Sequence, residues 1–70
     1  MDIRKRLGLN LKRLRAQHGW SQEQFAFEAS VHRTYISDLE RGARNPTILL
    51  LEKLAVPLGV PASTLIADPE

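Results

Sequence analysis

Apolar side chains recur along the first part of the chain with helical spacing. Ile3, Leu7, Leu11 and Leu14 follow one another at intervals of four, four and three residues. One stripe of that period predicts a helix from about Ile3 to His18, with Asp2 as N-cap and Gly19 as its left-handed terminator. Trp20-Ser21-Gln22-Glu23-Gln24-Phe25 is a strong helix-start signal. Ser21 is expected to cap the Gln24 amide and Gln24 to reach back to Ser21, while Trp20 and Phe25 occupy the two positions of a hydrophobic staple. The staple accounts for the two aromatics better than a cofactor or base-stacking role does. The second helix then runs to about Ala29, burying Phe25, Ala26 and Ala29.

Ser30-Val31-His32 reads as a three-residue turn, and a third helix follows from about Arg33 to Arg41, closed by Gly42. Its inward stripe is narrow, Ile36 and Leu39 only. Arg33, Thr34, Ser37, Asp38 and Arg41 make the rest a wide hydrogen-bonding face, with Tyr35 amphipathic between the two. Pro46 keeps Asn45 out of a helix, and Thr47 caps a fourth helix whose buried face is Ile48, Leu51, Leu54, Ala55 and Leu58. Pro57 removes a backbone donor, so a kink or an end is expected near Leu54 to Val56. A short fifth helix, about Ala62 to Ile66, packs Leu65 on the core, and Ala67 to Glu70 is expected to fray. Leu49 and Leu50 fall outside the buried face of the fourth helix. With Val56, Pro57 and Leu65 they suggest a twofold interface; the competing reading is a tight core around a kink at Pro57.

Seventy residues make one domain, 1–70, with its two-helix motif at about 21–41 and a dimerisation region at about 47–66. A chain this short buries only about 60% of its unfolded surface. It has no cysteine, and His18 and His32 lack metal-ligand spacing, so apolar packing, and a partner subunit, must supply stability. No apolar run approaches the roughly 20 residues that span a bilayer, and no signal peptide is visible, which points to the cytoplasm and away from membranes. With no metal cluster, no nucleophile beside a base and no phosphate-cradling glycine loop, an enzyme is not expected, nor a cofactor or small-molecule ligand. The net charge is +2, unevenly spread: residues 1–44 carry nine Lys/Arg against five Asp/Glu, and residues 45–70 one against three. A basic front two thirds fits a polyanionic partner, though charge alone is better read as solvated helix faces.

Two short helices across a three-residue turn, the second polar outside, form a helix-turn-helix arrangement. The runs Ser21-Gln22-Glu23-Gln24-Phe25-Ala26 and Val31-His32-Arg33-Thr34-Tyr35-Ile36-Ser37-Asp38-Leu39-Glu40-Arg41-Gly42 resemble those of Cro/C1-type (XRE-family) helix-turn-helix proteins. Pro46-Thr47-Ile48 and Leu54-Ala55 through Leu58-Gly59-Val60 extend the likeness over roughly residues 7–66. The run from His32 to Gly42 is also similar to that of restriction–modification controller proteins. The resemblance implies an all-α five-helix bundle of lambda-repressor-like type, with helix 3 in the DNA major groove and helix 2 across its entrance. It also implies an ion pair between Arg15 and Glu40; the alternative is two separate surface charges.

The resemblance further implies a sequence-specific transcription regulator that binds double-stranded DNA as a homodimer on a palindromic operator. Arg33, Thr34, Ser37 and Asp38 are then the base-reading candidates: Arg33 has the donor fork for guanine, the Thr34 methyl suits thymine, and Asp38 either accepts from cytosine or orients Arg33 or Arg41. Gln22, His32, Tyr35, Arg41, Arg44 and Asn45 are the backbone-contact candidates, with core packing an equal role for Tyr35. Ser30 stands where the family has Gly or Asn, so strain is expected there. Arg4, Lys5, Arg6, Lys12 and Arg13 spread around helix 1, so only some could face DNA. The alternative function is an antitoxin-like module that binds a partner protein and autoregulates its operon; little chain beyond helix 5 is available for that contact.

Overall fold

The computed structural model describes residues 1–69 and contains, among them, five helices and no strand: α1 (Ile3–Gln17), α2 (Gln22–Ala29), α3 (Arg33–Glu40), α4 (Ile48–Leu58) and α5 (Ala62–Leu65). α1 packs on α3 and α5, α2 on α3 and α4, and α4 on α5. The shared core is Leu7, Leu11, Leu14, Phe25, Ala26, Ala29, Ile36, Leu39, Leu54, Ala55, Leu58 and Leu65. The sequence periodicity therefore selects the inward faces of α1 to α3, except that Ile3, the first member of the α1 stripe, is 49% exposed.

Helix ends follow local chemistry. The Asp2 carboxylate accepts from the Arg4 amide at 2.7 Å and from the Arg4 side chain. Those bonds, the side-chain one foremost, hold its pKa down at about 2. Ser21 Oγ accepts from the Gln24 amide at 3.0 Å and Thr47 Oγ1 from the Leu50 amide at 3.1 Å, each satisfying an amide the helix leaves unpaired. The Trp20 and Phe25 rings lie 6.1 Å apart, as a staple requires. The reciprocal half of the expected capping box is absent: Gln24 Nε2 donates forward to Glu28 Oε2 at 2.8 Å, one turn along the exposed face. Ser30 ends α2 in the left-handed region (φ 58°, ψ 44°), the non-glycine residue with positive φ among those described. Its strained conformation is what turns the chain from α2 into α3.

Three further expectations, about α4 and the chain after α5, fail. α4 does not kink or end before Val56; it continues through Pro57 to Leu58 and closes on left-handed Gly59. Pro57 lies in the last turn, so a single internal bond is lost, the one to the Lys53 carbonyl, and Lys53 is on the exposed side where water can take that place. Ile48 is not part of the buried face: it is 81% exposed. Burial falls away toward the helix start, from enclosed Leu54 through half-buried Leu51 to Ile48. Nor is the chain after α5 loose through Ala67. Asn10, buried on α1, donates its Nδ2 to the carbonyls of Leu65 (2.9 Å) and Ala67 (2.8 Å), and Arg6 Nε donates to that of Ile66 (2.8 Å). The carbonyls that a short helix leaves unpaired at its end are thus bonded by side chains of another helix. Glu70, the last residue of the expected frayed tail, lies outside the described residues.

The crossing of α1 and α3 depends on a missing side chain. A Cβ at Gly8 would stand 2.6 Å from the Glu40 carbonyl oxygen and 2.7 Å from that of Leu39. Backbone of α3 therefore rests directly on backbone of α1. Gly8→Ala removes a glycine from a helix interior, which by propensity alone would stabilise by about 1 kcal/mol. The clash is with main chain that cannot rotate away, so we expect net destabilisation of about 1–3 kcal/mol, read from urea unfolding. A variant as stable as the parent would show that the helices do not approach this closely.

Candidate nucleic-acid interface

α3 is held from behind by a charged cluster. Arg15 meets Glu40 with two parallel hydrogen bonds, Nε to Oε2 at 2.7 Å and Nη2 to Oε1 at 3.0 Å. The two side chains are only 14% and 5% exposed. The remaining Arg15 nitrogen, Nη1, donates to the Trp20 carbonyl at 2.9 Å, and Gln22 Nε2 donates to Glu40 Oε1 at 3.0 Å. Hydrogen bonding to Glu40 raises the Arg15 pKa further above its ordinary value. α1, the linker to α2, the first turn of α2 and the last turn of α3 are thus tied at one carboxylate. The ion pair implied by the family resemblance is present as a two-pronged, largely dehydrated contact. The Gln22 bond to it is additional, and sequence reasoning did not anticipate it.

On the other side of α3 the polar face is open. Arg33 and Thr34 are exposed at its start, and Ser37 and Asp38 half-buried further along. Among the described residues Arg33 has no carboxylate partner. Asp38 does not orient Arg33. It accepts from Arg41 Nη2 through Oδ1 and from Arg44 Nε through Oδ2, the latter at 3.1 Å. The Arg44 guanidinium also lies 5.0 Å from the centre of the Tyr35 ring, and half-buried Tyr35 packs against the core. His32 occupies the N-cap position of α3 without a side-chain capping bond, so its ring is uncommitted. Asn45 is exposed in the loop after α3. Gln22, Arg33, Thr34, Ser37, Asp38, Arg41 and Arg44 therefore belong to one helix pair and its following loop.

The basic side chains of α1 are differently employed. Arg4 pairs with Asp2, Arg6 with Asp68 at 3.5 Å, and Arg13 Nη2 bonds Asn10 Oδ1 at 3.2 Å.

The candidate dimer residues divide. Leu49 and Val56 are 82% and 68% exposed and join Ile48 in an uncovered apolar group on α4. Leu50 is half-buried against its own core, and Pro57 is half-buried. Leu65 is wholly buried within the subunit, so the expectation that it contributes to a twofold interface is corrected: it is a core residue, because the bonds from α1 draw α5 inward. No helix of the described residues is long and apolar enough to cross a membrane.

Comparison with known proteins agrees with this geometry. Residues 11–65 match the Helix-turn-helix family (HTH_3), and the chain belongs to that family. The control protein C.MunI of Mycoplasma sp is 43% identical over 70 residues, covering 99% of this chain and 95% of that one. The crystal structure of the hypothetical transcription factor NHTF from Neisseria matches with a TM-score of 0.93 at 40% identity, over 97% of this chain and 78% of that one. The restriction–modification controller protein C.Esp1396I, solved as a tetramer with its natural 35 base-pair operator, matches with a TM-score of 0.82 at 32% identity, over 93% and 86% of the two chains.

Removing one member of a buried ion pair leaves the other charged and unpaired, at a cost of about 3–5 kcal/mol. A 70-residue domain has only about 4–10 kcal/mol in total at the usual stability per residue. Arg15→Met and Glu40→Gln should therefore each lower the thermal midpoint steeply. The double variant should lose less than the two single losses added together, because neither leaves a lone buried charge. Additive losses in calorimetry would show that the pair is not coupled.

Proposed function

We propose that this chain is a sequence-specific transcription regulator that binds double-stranded DNA as a homodimer on a roughly palindromic operator, in the manner of restriction–modification controllers. The observation that carries the reading is the exposed face of α3, where Arg33 and Thr34 stand uncommitted on a helix locked from behind. A helix presented in this way fits the major groove, with its first residues at base edges. Arg33 forks onto guanine O6 and N7, Thr34 meets a thymine methyl, and Ser37 bonds a neighbouring base edge. Gln22, with one amide hydrogen and its oxygen unused by Glu40, bonds a phosphate together with the amides opening α2. Arg41, Arg44, Asn45 and His32 contact the backbone around it, and Tyr35 supports Arg44. The role is binding, not catalysis, and it is exercised in the cytoplasm, where the operator lies.

Ile48, Leu49 and Val56 form the centre of the twofold contact, with Leu50 and Pro57 at its edge. Such a dimer sets its two recognition helices one DNA turn, about 34 Å, apart. An antitoxin-like role bound to a partner protein is the competing reading. The likeness to control proteins over nearly the whole chain favours the regulator.

Selecting bound sites from random duplexes tests base reading. Arg33→Ala should relax the preference at one guanine in each half-site and cost about 1–3 kcal/mol of discrimination there. An unchanged site preference would remove Arg33 from the reading set. Sedimentation tests assembly: Leu49→Glu with Val56→Glu should give a folded monomer with much weaker operator binding. A variant that still sediments as a dimer places the interface elsewhere.

A further inference from the structure

α3 carries a carboxylate on the face turned toward the proposed DNA. A negative charge there repels every phosphate, so its presence needs a reason. Asp38 is only 18% exposed, whereas the two arginines it bonds, Arg41 and Arg44, are 62% and 49% exposed. The carboxylate is an inner post and the guanidinium groups are the outer surface. Arg44 is fixed twice: its Nε by Asp38 Oδ2 at 3.1 Å, and its guanidinium carbon over the Tyr35 ring, 5.0 Å from the ring centre. Among the described residues its two terminal nitrogens have no hydrogen-bond partner, and these are the pair that forks a phosphate. Arg41 uses one terminal nitrogen on Asp38 and keeps its other donors.

Resting on the DNA-binding reading above, we propose that Asp38 is a positioning residue that sets specificity, acting through Arg44 and Arg41. It does two things at once. It cancels one of the two adjacent positive charges, which lowers affinity for any duplex, because sequence-independent binding grows with each phosphate neutralised. It also holds Arg44 in one orientation, so the complex in which the phosphate sits in register loses less side-chain freedom on forming. The first effect weakens binding to unrelated DNA, and the second strengthens binding to the right site. Both widen the ratio between them.

The signature is a pair of opposite signs that charge alone cannot produce. The probes are a duplex selected by the parent protein from a random pool and a shuffled duplex of the same composition, each titrated over a range of salt. Asp38→Asn should bind the shuffled duplex more tightly, with a salt slope steeper by about 0.9, and the selected duplex less tightly. The ratio of the two affinities should fall about three- to tenfold. In an Arg44→Lys background, which keeps the charge but loses the Nε bond and the guanidinium over the Tyr35 ring, the same substitution should move the ratio less than half as far on a logarithmic scale. Asp38→Ala, run in parallel with melting curves for all variants, should repeat the pattern in a second folded protein. Equal gains on both duplexes would reduce Asp38 to a plain charge and overturn the proposal, as would an undiminished effect in the Arg44→Lys background. A parent protein that selects no sequence at all takes down the DNA-reading function itself, and this role with it. That outcome is visible before any variant is made.

Discussion

The contact between Arg15 and Glu40 is the constraint on which the reading surface depends. α3 is eight residues long, too short to hold its shape alone in water. Its inward stripe, Ile36 and Leu39, is narrow and resists sliding better than rotation about the helix axis. A two-pronged bond at its last turn, shared by Gln22 of α2 and linked through Arg15 to the Trp20 carbonyl, removes that rotation. The outward side chains acquire a fixed heading because the inward end of the same helix is pinned in a dehydrated cluster. Gly8 contributes from beneath, since only a residue without Cβ lets α1 come close enough for Arg15 to reach.

Much of this was legible in the sequence where the signals are local. The Ser21 and Thr47 caps, the Trp20–Phe25 staple and the stripes of α1 and α3 depend on neighbours within one or two turns, and all appear as expected apart from Ile3, which begins the α1 stripe exposed. What the sequence hid was nonlocal. Nothing around Gly8 marks it as a crossing point, because the atoms it makes room for lie over thirty residues away along the chain. Asn10 looks like a surface amide between Leu7 and Leu11, yet it is buried, and its Nδ2 donates to the carbonyls of Leu65, which ends α5, and Ala67 just beyond it. Pro57 misled because the one carbonyl it leaves without a donor, that of Lys53, lies on the exposed side where water can replace the bond, and the sequence does not show that exposure.

The candidate site was read residue by residue and assembled differently. Arg33, Thr34, Ser37 and Asp38 do share the outer side of α3, as their spacing requires. Sequence spacing offers Asp38 either Arg33 or Arg41 as a partner. Arg44, across the turn at Gly42, enters only once the loop is folded back. The apolar surplus of α4 was seen but misapportioned. Leu50 and Leu65 face the subunit's own core, and the uncovered apolar residues of α4 are Ile48, Leu49 and Val56.

The bonds from Asn10 and Arg6 to the carbonyls after Thr64 have a mechanical consequence. α1 is fastened to α3 along one flank and to the end of α5 along the other, so it acts as the shaft of a lever. In a twofold pair joined through α4, a small tilt at the joint would pass by way of α5 to that shaft and on to its far end. The gap between the two reading helices is then adjusted by the set of the joint, not by bending within either half.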